Sequence, residues 1–271
     1  ELYTRKQGEE ITQQLYNFED KGERRVALRP EMTPSLARMV MARASALPTP
    51  IKWFSIPQCW RYERMQRGRG REHYQWNVDI WGSTGIEADV ELLAVLCSFL
   101  GRVGLAPAEV GIRVSSRKVL QEVLDSVGVA GEQFPAVCIV VDKLGKLPPD
   151  EAAAQLGKLG LDNTAVATIQ RVLGLRDLDT LAAALGDDSG AVAELRSLWA
   201  LAEGYGLTEW LEFDGSIVRG LAYYTGPVFE AHDRHGELRA VCGGGRYDRL
   251  LSSFGGKDLP ATGFGFGDMV I

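Results

Sequence analysis

Along the first fifty residues, apolar positions recur near a 3.6-residue period from Glu9 to Phe18 and again from Ser35 to Leu47, which predicts two helices flanking the segment Arg25 to Pro34. Thr33-Pro34 reads as the N-cap and first-turn proline of the second helix. From Ile51 to Arg64 the chain is rich in aromatic and branched residues and reads as extended. A Gly/Arg loop follows, and Tyr74 to Trp81 then alternates with period two. Together these predict an antiparallel hairpin with a long loop. Helical spacing returns in Glu87 to Val103 and Arg117 to Val127, with a strand between them near Glu109 to Val114 and a buried apolar segment at Ala136 to Val141.

After Lys143 the pattern changes. Ala, Leu and charged residues dominate from Asp150 to Tyr205 at helical spacing, interrupted by Gly160, Gly174, Gly186 and Gly190, which predicts a small all-helical insertion of three or four helices. Strand-like sequence resumes at Trp210 to Phe213 and Ile217 to Glu230. A turn at Asp233-Arg234-His235-Gly236 leads to another strand through Cys242, and the chain closes on Gly263-Phe264-Gly265-Phe266-Gly267. Strands and helices in this order lack regular βαβ alternation, so an α+β domain on an antiparallel sheet is expected rather than a doubly wound fold.

Composition narrows the class without choosing the function. With 45% hydrophobic and 24% charged residues, the chain can bury one large core or two modest ones. Aliphatic-and-cysteine runs such as Val137 to Val141 are far short of the roughly 20 residues that cross a bilayer, so no membrane span is expected. Cys59, Cys97, Cys138 and Cys242 are widely spaced with no Cys-x-x-Cys pair, which favours a reducing compartment over zinc or redox chemistry. A net charge of −6 argues against a protein coated in positive charge, and leaves room for a local basic patch. The opening Glu1-Leu2-Tyr3-Thr4-Arg5-Lys6 resembles neither a signal nor a transit peptide.

Within the predicted hairpin, period two puts Gln75, Asn77 and Asp79 on one face and Trp76, Val78 and Ile80 on the other. That is one amide-and-carboxylate face and one core face, the pattern of a binding strand and equally of a half-solvated one. Before it, Arg61, Arg64, Arg67, Arg69 and Arg71 crowd into eleven residues. Guanidinium stays charged and binds oxyanions bidentately, so this density suits phosphate; a solvated basic loop has the same composition. Glu31, in Arg29-Pro30-Glu31-Met32-Thr33, stands before a helix start, where a carboxylate also favours the helix dipole. Arg219 lies in an otherwise apolar and aromatic run, Ile217 to Tyr224, and needs an anionic partner or an exit to water. Gly243-Gly244-Gly245 fits a turn, or a backbone that lets a ligand approach closely. His232 and His235 bracket the predicted turn and read as a hairpin tip rather than a metal site. Neither a phosphate-binding GxxxxGK[ST] or GxGxxG loop nor a Gly-x-Ser-x-Gly nucleophile motif is present.

Taken together, four segments resemble class II aminoacyl-tRNA synthetases and, among them, the histidyl-tRNA synthetase family, over nearly the whole chain. Arg29-Pro30-Glu31-Met32-Thr33 resembles the family's substrate-binding RPE-x-T segment. Trp60-Arg61-Tyr62-Glu63-Arg64 through Asp79-Ile80-Trp81-Gly82 is similar to motif 2, whose arginine contacts the ATP α-phosphate. Val218 to Tyr224 and Cys242 to Asp248 resemble the two histidine-specific signatures. Four such motifs in order are specific where one would be modest.

The resemblance implies a class II catalytic core, residues 1–143 and 207–271, interrupted by a helical insertion at 144–206, with motif 1 expected before Glu1 and an anticodon-binding domain after Ile271. It implies ATP-dependent activation of L-histidine to the adenylate and its transfer to the 3′ end of tRNA(His), by a homodimer, in the cytoplasm or an organelle matrix. Arg61 and Arg219 would be catalytic. ATP would meet Arg61, Glu63, Arg69, Arg71 and Arg219, with Mg²⁺ on its phosphates and no protein metal ligand assigned. Histidine would meet Glu31, Thr33, Gln75, Asp79, Tyr224 and Tyr247. Three departures stand out: Asp79 where many members carry Glu, Met269 and Val270 in place of an ATP-clamping arginine, and the two absent end segments. The Phe264 to Asp268 variant resembles a bacterial and organellar subgroup. A rival implication is a histidine-binding regulatory paralogue of ATP phosphoribosyltransferase that makes no adenylate; the arginine set speaks against it, because a histidine sensor has no α-phosphate to stabilise.

Overall fold

The structure is a computed structural model that describes residues 11–131, 133–141, 144, 147–186, 188–217, 223–236 and 238–271. Its centre is an eight-stranded sheet. The strands are β3 (Ile51–Ser55), β4 (Gln58–Trp60), β5 (Glu72–Trp81), β6 (Val110–Ser116), β7 (Leu211–Phe213), β8 (Pro227–Asp233), β9 (Cys242–Arg246) and β10 (Ala261–Gly267), in the order β3-β5-β10-β9-β8-β6-β7, with β4 also on β5. Every pairing is antiparallel except β6 with β7. The α+β expectation holds, and so does the hairpin with its long loop: Gln58 pairs with Tyr74, and Ile51 with Trp81.

One face of the sheet is covered by helices. Trp76 of β5 meets Phe99 of α3 (Glu87–Arg102) at 5.0 Å between ring centroids, and Phe264 of β10 at 5.2 Å. α4 (Arg117–Ser126) starts where Ser116 accepts a hydrogen bond from Lys118 N, and buries Val119, Leu120, Val123 and Leu124 at helical spacing. The expected insertion contains four helices among the described residues, α6 (Pro149–Lys158), α7 (Asn163–Leu173), α8 (Leu178–Leu185) and α9 (Gly190–Gly204). Asp162, Asp177 and Ser189 cap the last three. Their apolar faces, including Leu156, Ile169 and Leu195, share one continuous core with Ile112 and Phe229 of the sheet.

Several local expectations are corrected. The helix predicted to Phe18 is, among described residues, the short α1 (Ile11–Gln14); Phe18 sits in β1 (Asn17–Glu19), paired with β2 (Arg25–Ala27). The cause is local: the Asp20 carboxylate accepts from Gly22 N and Arg24 N, closing a turn that competes with helix. α2 (Thr33–Arg43) is capped by Met32 with no side-chain bond, so Thr33 is its first residue and not its cap. The buried segment expected at Ala136 to Val141 is buried at Val137, Cys138, Val140 and Val141, as part of a helix, α5 (Gln133–Val141). Of the strand expected from Ile217 to Glu230, Pro227–Glu230 lie in β8 and residues 223–226 are not extended; residues 218–222, Arg219 among them, lie outside the described residues. Gly243 to Gly245 form the middle of β9 and not a turn.

Arg246, at the end of β9, fastens the sheet to α3. Its Nε donates to Asp89 at 3.0 Å, and its terminal nitrogens donate to Ser83 O at 2.9 Å and Gly85 O at 2.8 Å. Thr262 donates to the other oxygen of Asp89 at 2.8 Å. Burial pushes Asp89 up to about 6, and Arg246 supplies the opposing charge that keeps it ionised at neutral pH. Removing the cation leaves a carboxylate buried alone. Arg246→Ala is therefore expected to lower the unfolding free energy by about 3–5 kcal/mol, read from chemical denaturation.

Candidate active site

The face of the sheet away from α3 carries a cavity of about 960 Å³. Its floor is made by glycines. Register places Asp79 opposite Gly263, Asn77 opposite Gly265 and Gln75 opposite Gly267, and places Gly263 and Gly265 opposite Gly245 and Gly243 of β9. The missing side chains are required by close approach: a Cβ on Gly263 would run into the Asp79 carboxylate and come within 2.6 Å of the Tyr247 hydroxyl, and one on Gly265 would strike the Gln75 amide. β8 closes the row with Glu230, opposite Gly243. Three strand spacings of about 4.8 Å separate Asn77 from Glu230, so the floor is roughly 14 Å wide.

The polar face of β5 is the better buried one along much of the strand. Gln75, Asn77 and Asp79 expose 9%, 2% and 2%, which excludes a half-solvated strand. Asn77 Oδ1 is buried and finds no hydrogen-bond partner among the described residues, a condition that a folded protein rarely tolerates outside a functional site.

At one end of the cavity, Tyr247 donates its hydroxyl hydrogen to Asp79 Oδ1. Burial, then the charge of Asp79, raises the Tyr247 phenol well above its ordinary range, so it remains a donor. Tyr223 and Tyr224 stack beside it, 4.3 Å apart and 5.8 and 6.4 Å from Tyr247, and Trp81 meets it edge-on at 5.6 Å. Burial and then the nearby Glu31 carboxylate likewise raise Tyr223. Glu31 and Thr33, both buried, line the same end from the start of α2.

Arginines line the other end. Trp60 N donates to Arg29 O at 2.8 Å and Arg61 Nε to Pro30 O at 3.0 Å, so the Arg29-Pro30-Glu31 segment and β4 are stitched together. Arg61 N donates to Arg71 O at 2.9 Å, closing the loop base. Arg69 pairs with Glu63 inside the cavity wall. Arg71 does not line the cavity: its Nε donates to Glu63 O at 3.1 Å and its guanidinium lies 4.3 Å over the Tyr62 ring. Arg64 and Arg67 are exposed. The loop glycines Gly68 and Gly70 fit against Val270 and Met269, which line this end of the cavity.

The sequence-predicted site residues Glu31, Thr33, Arg61, Glu63, Arg69, Gln75, Asp79, Tyr224 and Tyr247 thus share one cavity; Arg71 stands beside it and Arg219 lies outside the described residues. Missing from that prediction were Asn77, Tyr223, His73 and Glu230. Period two alone would have added Asn77 and His73. Glu230, whose carboxylate meets His232 Nε2 at 2.9 Å, carries a usable signal, a carboxylate in the apolar run Val228-Phe229-Glu230-Ala231. The four cysteines are buried and unpaired, with burial pushing Cys59 up to about 11 and Cys97 up to about 12. Among the described residues no group of three or more His, Cys, Asp or Glu side chains could hold a metal ion, and no helix is long and apolar enough to cross a membrane.

Comparison with known proteins gives one answer. A family model described as Histidyl-tRNA synthetase matches residues 1–267. The chain is 56% identical over 270 residues to the chloroplastic/mitochondrial histidine–tRNA ligase of Arabidopsis thaliana, matching all of this chain and 56% of that protein. It is 46% identical over 282 residues to the histidine–tRNA ligase of Opitutus terrae, matching all of this chain and 63% of that one. The chain therefore spans little more than half of these relatives' length. A solved structure from Bacillus halodurans, described as an ATP phosphoribosyltransferase regulatory subunit/histidyl-tRNA synthetase, superimposes with a TM-score of 0.80 at 26% identity, covering 94% of this chain and 66% of that one. The glycine-floored cavity, with a carboxylate and phenols at one end and arginines at the other, is that of a chain that belongs to the histidyl-tRNA synthetase family.

Proposed function

We propose that the full-length protein joins L-histidine to ATP, forming histidyl-adenylate and pyrophosphate, and then transfers the histidyl group to a hydroxyl of the 3′-terminal adenosine of tRNA(His), releasing AMP. The carrying observation is that a buried Asp79–Tyr247 pair and the Arg61 guanidinium line one continuous cavity. An imidazole carries two ring nitrogens, one a donor and one an acceptor when neutral. Asp79 accepts from the donor, and the phenols that surround it supply hydroxyls for the acceptor. Glu31, Thr33 and Gln75 hold the ammonium group. Other amino acids would leave these buried groups unpaired, a strong penalty.

In the first step a carboxylate oxygen of histidine forms a bond to the α-phosphorus as the bond from that phosphorus to the bridging oxygen breaks, and pyrophosphate takes the electron pair. Negative charge builds on the nonbridging oxygens. Arg61, preset by its bond to Pro30 O, stabilises it, joined by Arg219 as the family resemblance implies. Arg69 serves the outer phosphates once they displace its pairing with Glu63. Mg²⁺ arrives with ATP and neutralises the leaving pyrophosphate. Little proton transfer from the protein is needed. Arg71 braces the loop through Tyr62, a positioning task in place of the ATP contact expected for it.

The arginine end favours catalysis over histidine sensing, although the Bacillus halodurans neighbour is described by both names. Residues 144–206 form the insertion and the remainder the catalytic core of a homodimer. The Arabidopsis relative is named for chloroplast and mitochondrion, which supports an organelle matrix as the place of work. Incubation of the full-length protein with α-labelled ATP should yield labelled histidyl-adenylate with histidine and with no other amino acid; adenylate formed equally with other amino acids, or with none, contradicts the reading. Tyr247→Phe, which removes the donor to Asp79, should raise the KM for histidine about tenfold or more while leaving the KM for ATP unchanged.

A further inference from the structure

Arg117 opens α4 directly after β6, and its side chain lines the cavity on the far side of the glycine floor from Arg61 and Arg69. Nothing in the proposed chemistry uses it. Its guanidinium lies 4.8 Å over the Phe134 ring of α5, and one terminal nitrogen donates to Cys138 Sγ at 3.4 Å. Burial raises the Cys138 thiol, so it stays neutral and leaves the positive charge uncompensated. The other terminal nitrogen, Nη1, is buried, and among the described residues it has no hydrogen-bond partner and the guanidinium pairs with no carboxylate. Bracing α5 against α4 does not explain an unpaired buried donor.

This wall of the cavity belongs to the side of the molecule that carries the helical insertion. α5 stands between the core and the insertion in the chain, and the Gln133 amide donates to Leu159 O just past α6. Ile139, on the same wall, is 57% exposed, so the cavity reaches solvent here. Two of the three substrates in the proposed reaction are accounted for elsewhere, histidine by Asp79 and Tyr247 and the triphosphate by Arg61 and Arg69. The third must bring its terminal hydroxyl to the histidyl carbonyl while the adenylate fills the cavity. A phosphodiester enters with that nucleoside.

We propose that Arg117 is the binding group for this phosphodiester, and that the 3′ end of the tRNA enters the cavity along the wall of Arg117 and Ile139. The inference rests on the two-step reading above. The guanidinium exchanges a weak contact with a neutral thiol for a charge-assisted fork on phosphate oxygens, and the unpaired N–H gains an acceptor. Phosphate contacts fix the register of a nucleic acid without reading its sequence, so Arg117 sets where the terminal ribose stops. ATP offers the same phosphate chemistry, and the experiment separates the two sources.

Full-length wild type and Arg117→Gln are compared in histidine-dependent exchange of pyrophosphate into ATP, in transfer from preformed histidyl-adenylate to tRNA(His), and in binding of tRNA(His) either intact or lacking its 3′-terminal nucleotide. Exchange should stay within about threefold of wild type, while intact tRNA binds about tenfold more weakly and transfer at subsaturating tRNA falls in proportion. The slope of log affinity against log salt should become shallower by about 0.7, the value of one single-strand phosphate. The shortened tRNA lacks the phosphodiester in question, so it should bind both proteins alike. Equal affinity of the two proteins for intact tRNA, or an equal loss for intact and shortened tRNA, overturns the proposal. Loss of exchange with tRNA affinity intact also overturns it and gives Arg117 to ATP. Ile139→Glu, at an exposed position on the same wall, covers the case of an Arg117 variant that does not fold. Its added carboxylate should weaken intact tRNA more than shortened tRNA, and no difference overturns the proposal. If wild type shows no histidine-dependent exchange, the adenylate reading falls together with this one. Exchange with tRNA binding indifferent to Arg117 overturns only the role of Arg117.

Discussion

Replacement of Arg61 by alanine is expected to slow histidyl-adenylate formation by about 10²-fold or more, equivalent to roughly 3 kcal/mol of transition-state stabilisation. The guanidinium is held by its bond to Pro30 O and lines the cavity with Arg69, where the proposed reaction develops charge on the α-phosphate. In the proposed reading histidine is held by Asp79 and the tyrosines, and not by Arg61. Equilibrium binding of histidine to Arg61→Ala should therefore stay within about threefold of wild type, while single-turnover adenylate formation falls. Arg61→Lys keeps the charge and loses the fork that grips two oxygens, so it should recover only part of the rate. Equal loss of histidine binding and rate would mean that Arg61 shapes the cavity and does not act on the phosphate.

The second large effect comes from a single methyl group. Gly263→Ala should abolish measurable histidine binding, a loss of about 100-fold or more, and cost about 1–3 kcal/mol of stability through overpacking. The added Cβ falls on the Asp79 carboxylate and the Tyr247 hydroxyl, so the pair must separate or the central strand must shift. Gly267, in the same strand, provides the control. A Cβ there meets nothing within 4 Å, and Gly267→Ala should bind histidine like wild type. Calorimetric titration of histidine into the two variants measures the contrast. Similar affinities for both would show that the floor glycines are not needed for space.

These two residues also mark how far the sequence could be read. The alternation in Gln75 to Trp81 located the cavity strand and its two faces, and the cluster of arginines before it supplied Arg61 and Arg69 of the cavity wall. Which face was buried was not legible, because the partners that bury Asp79 and Asn77 come from β10, more than 180 residues along the chain. The same distance hid the purpose of Gly263 and Gly265: glycines alternating in a strand show open space only when the facing side chains are known. Gly243 to Gly245 read equally as a turn, since three glycines carry no period, and only pairing with β8 and β10 places them in a strand. Arg246 illustrates the reverse. It sits in a signature segment, yet its charge is used entirely on Asp89, Asp248 and two carbonyls of the sheet-to-helix junction. Arg71 was grouped with the ATP-binding arginines through the family resemblance; the sequence did not show that its guanidinium lies over the Tyr62 ring.

The antiparallel sheet and helical layers were legible for a different reason. Helix faces such as Val119, Leu120, Val123 and Leu124 repeat often enough that local competition does not matter. The Asn17–Glu19 hairpin failed that standard, being too short for periodicity to outweigh one aspartate that closes a turn.

In the proposed reading one cavity both selects histidine and activates it on ATP. Its most direct test is exchange of labelled pyrophosphate into ATP by the full-length protein. Exchange should require histidine and be lost in Arg61→Ala; tight histidine binding with no exchange in the intact protein would mean that the cavity binds histidine without activating it.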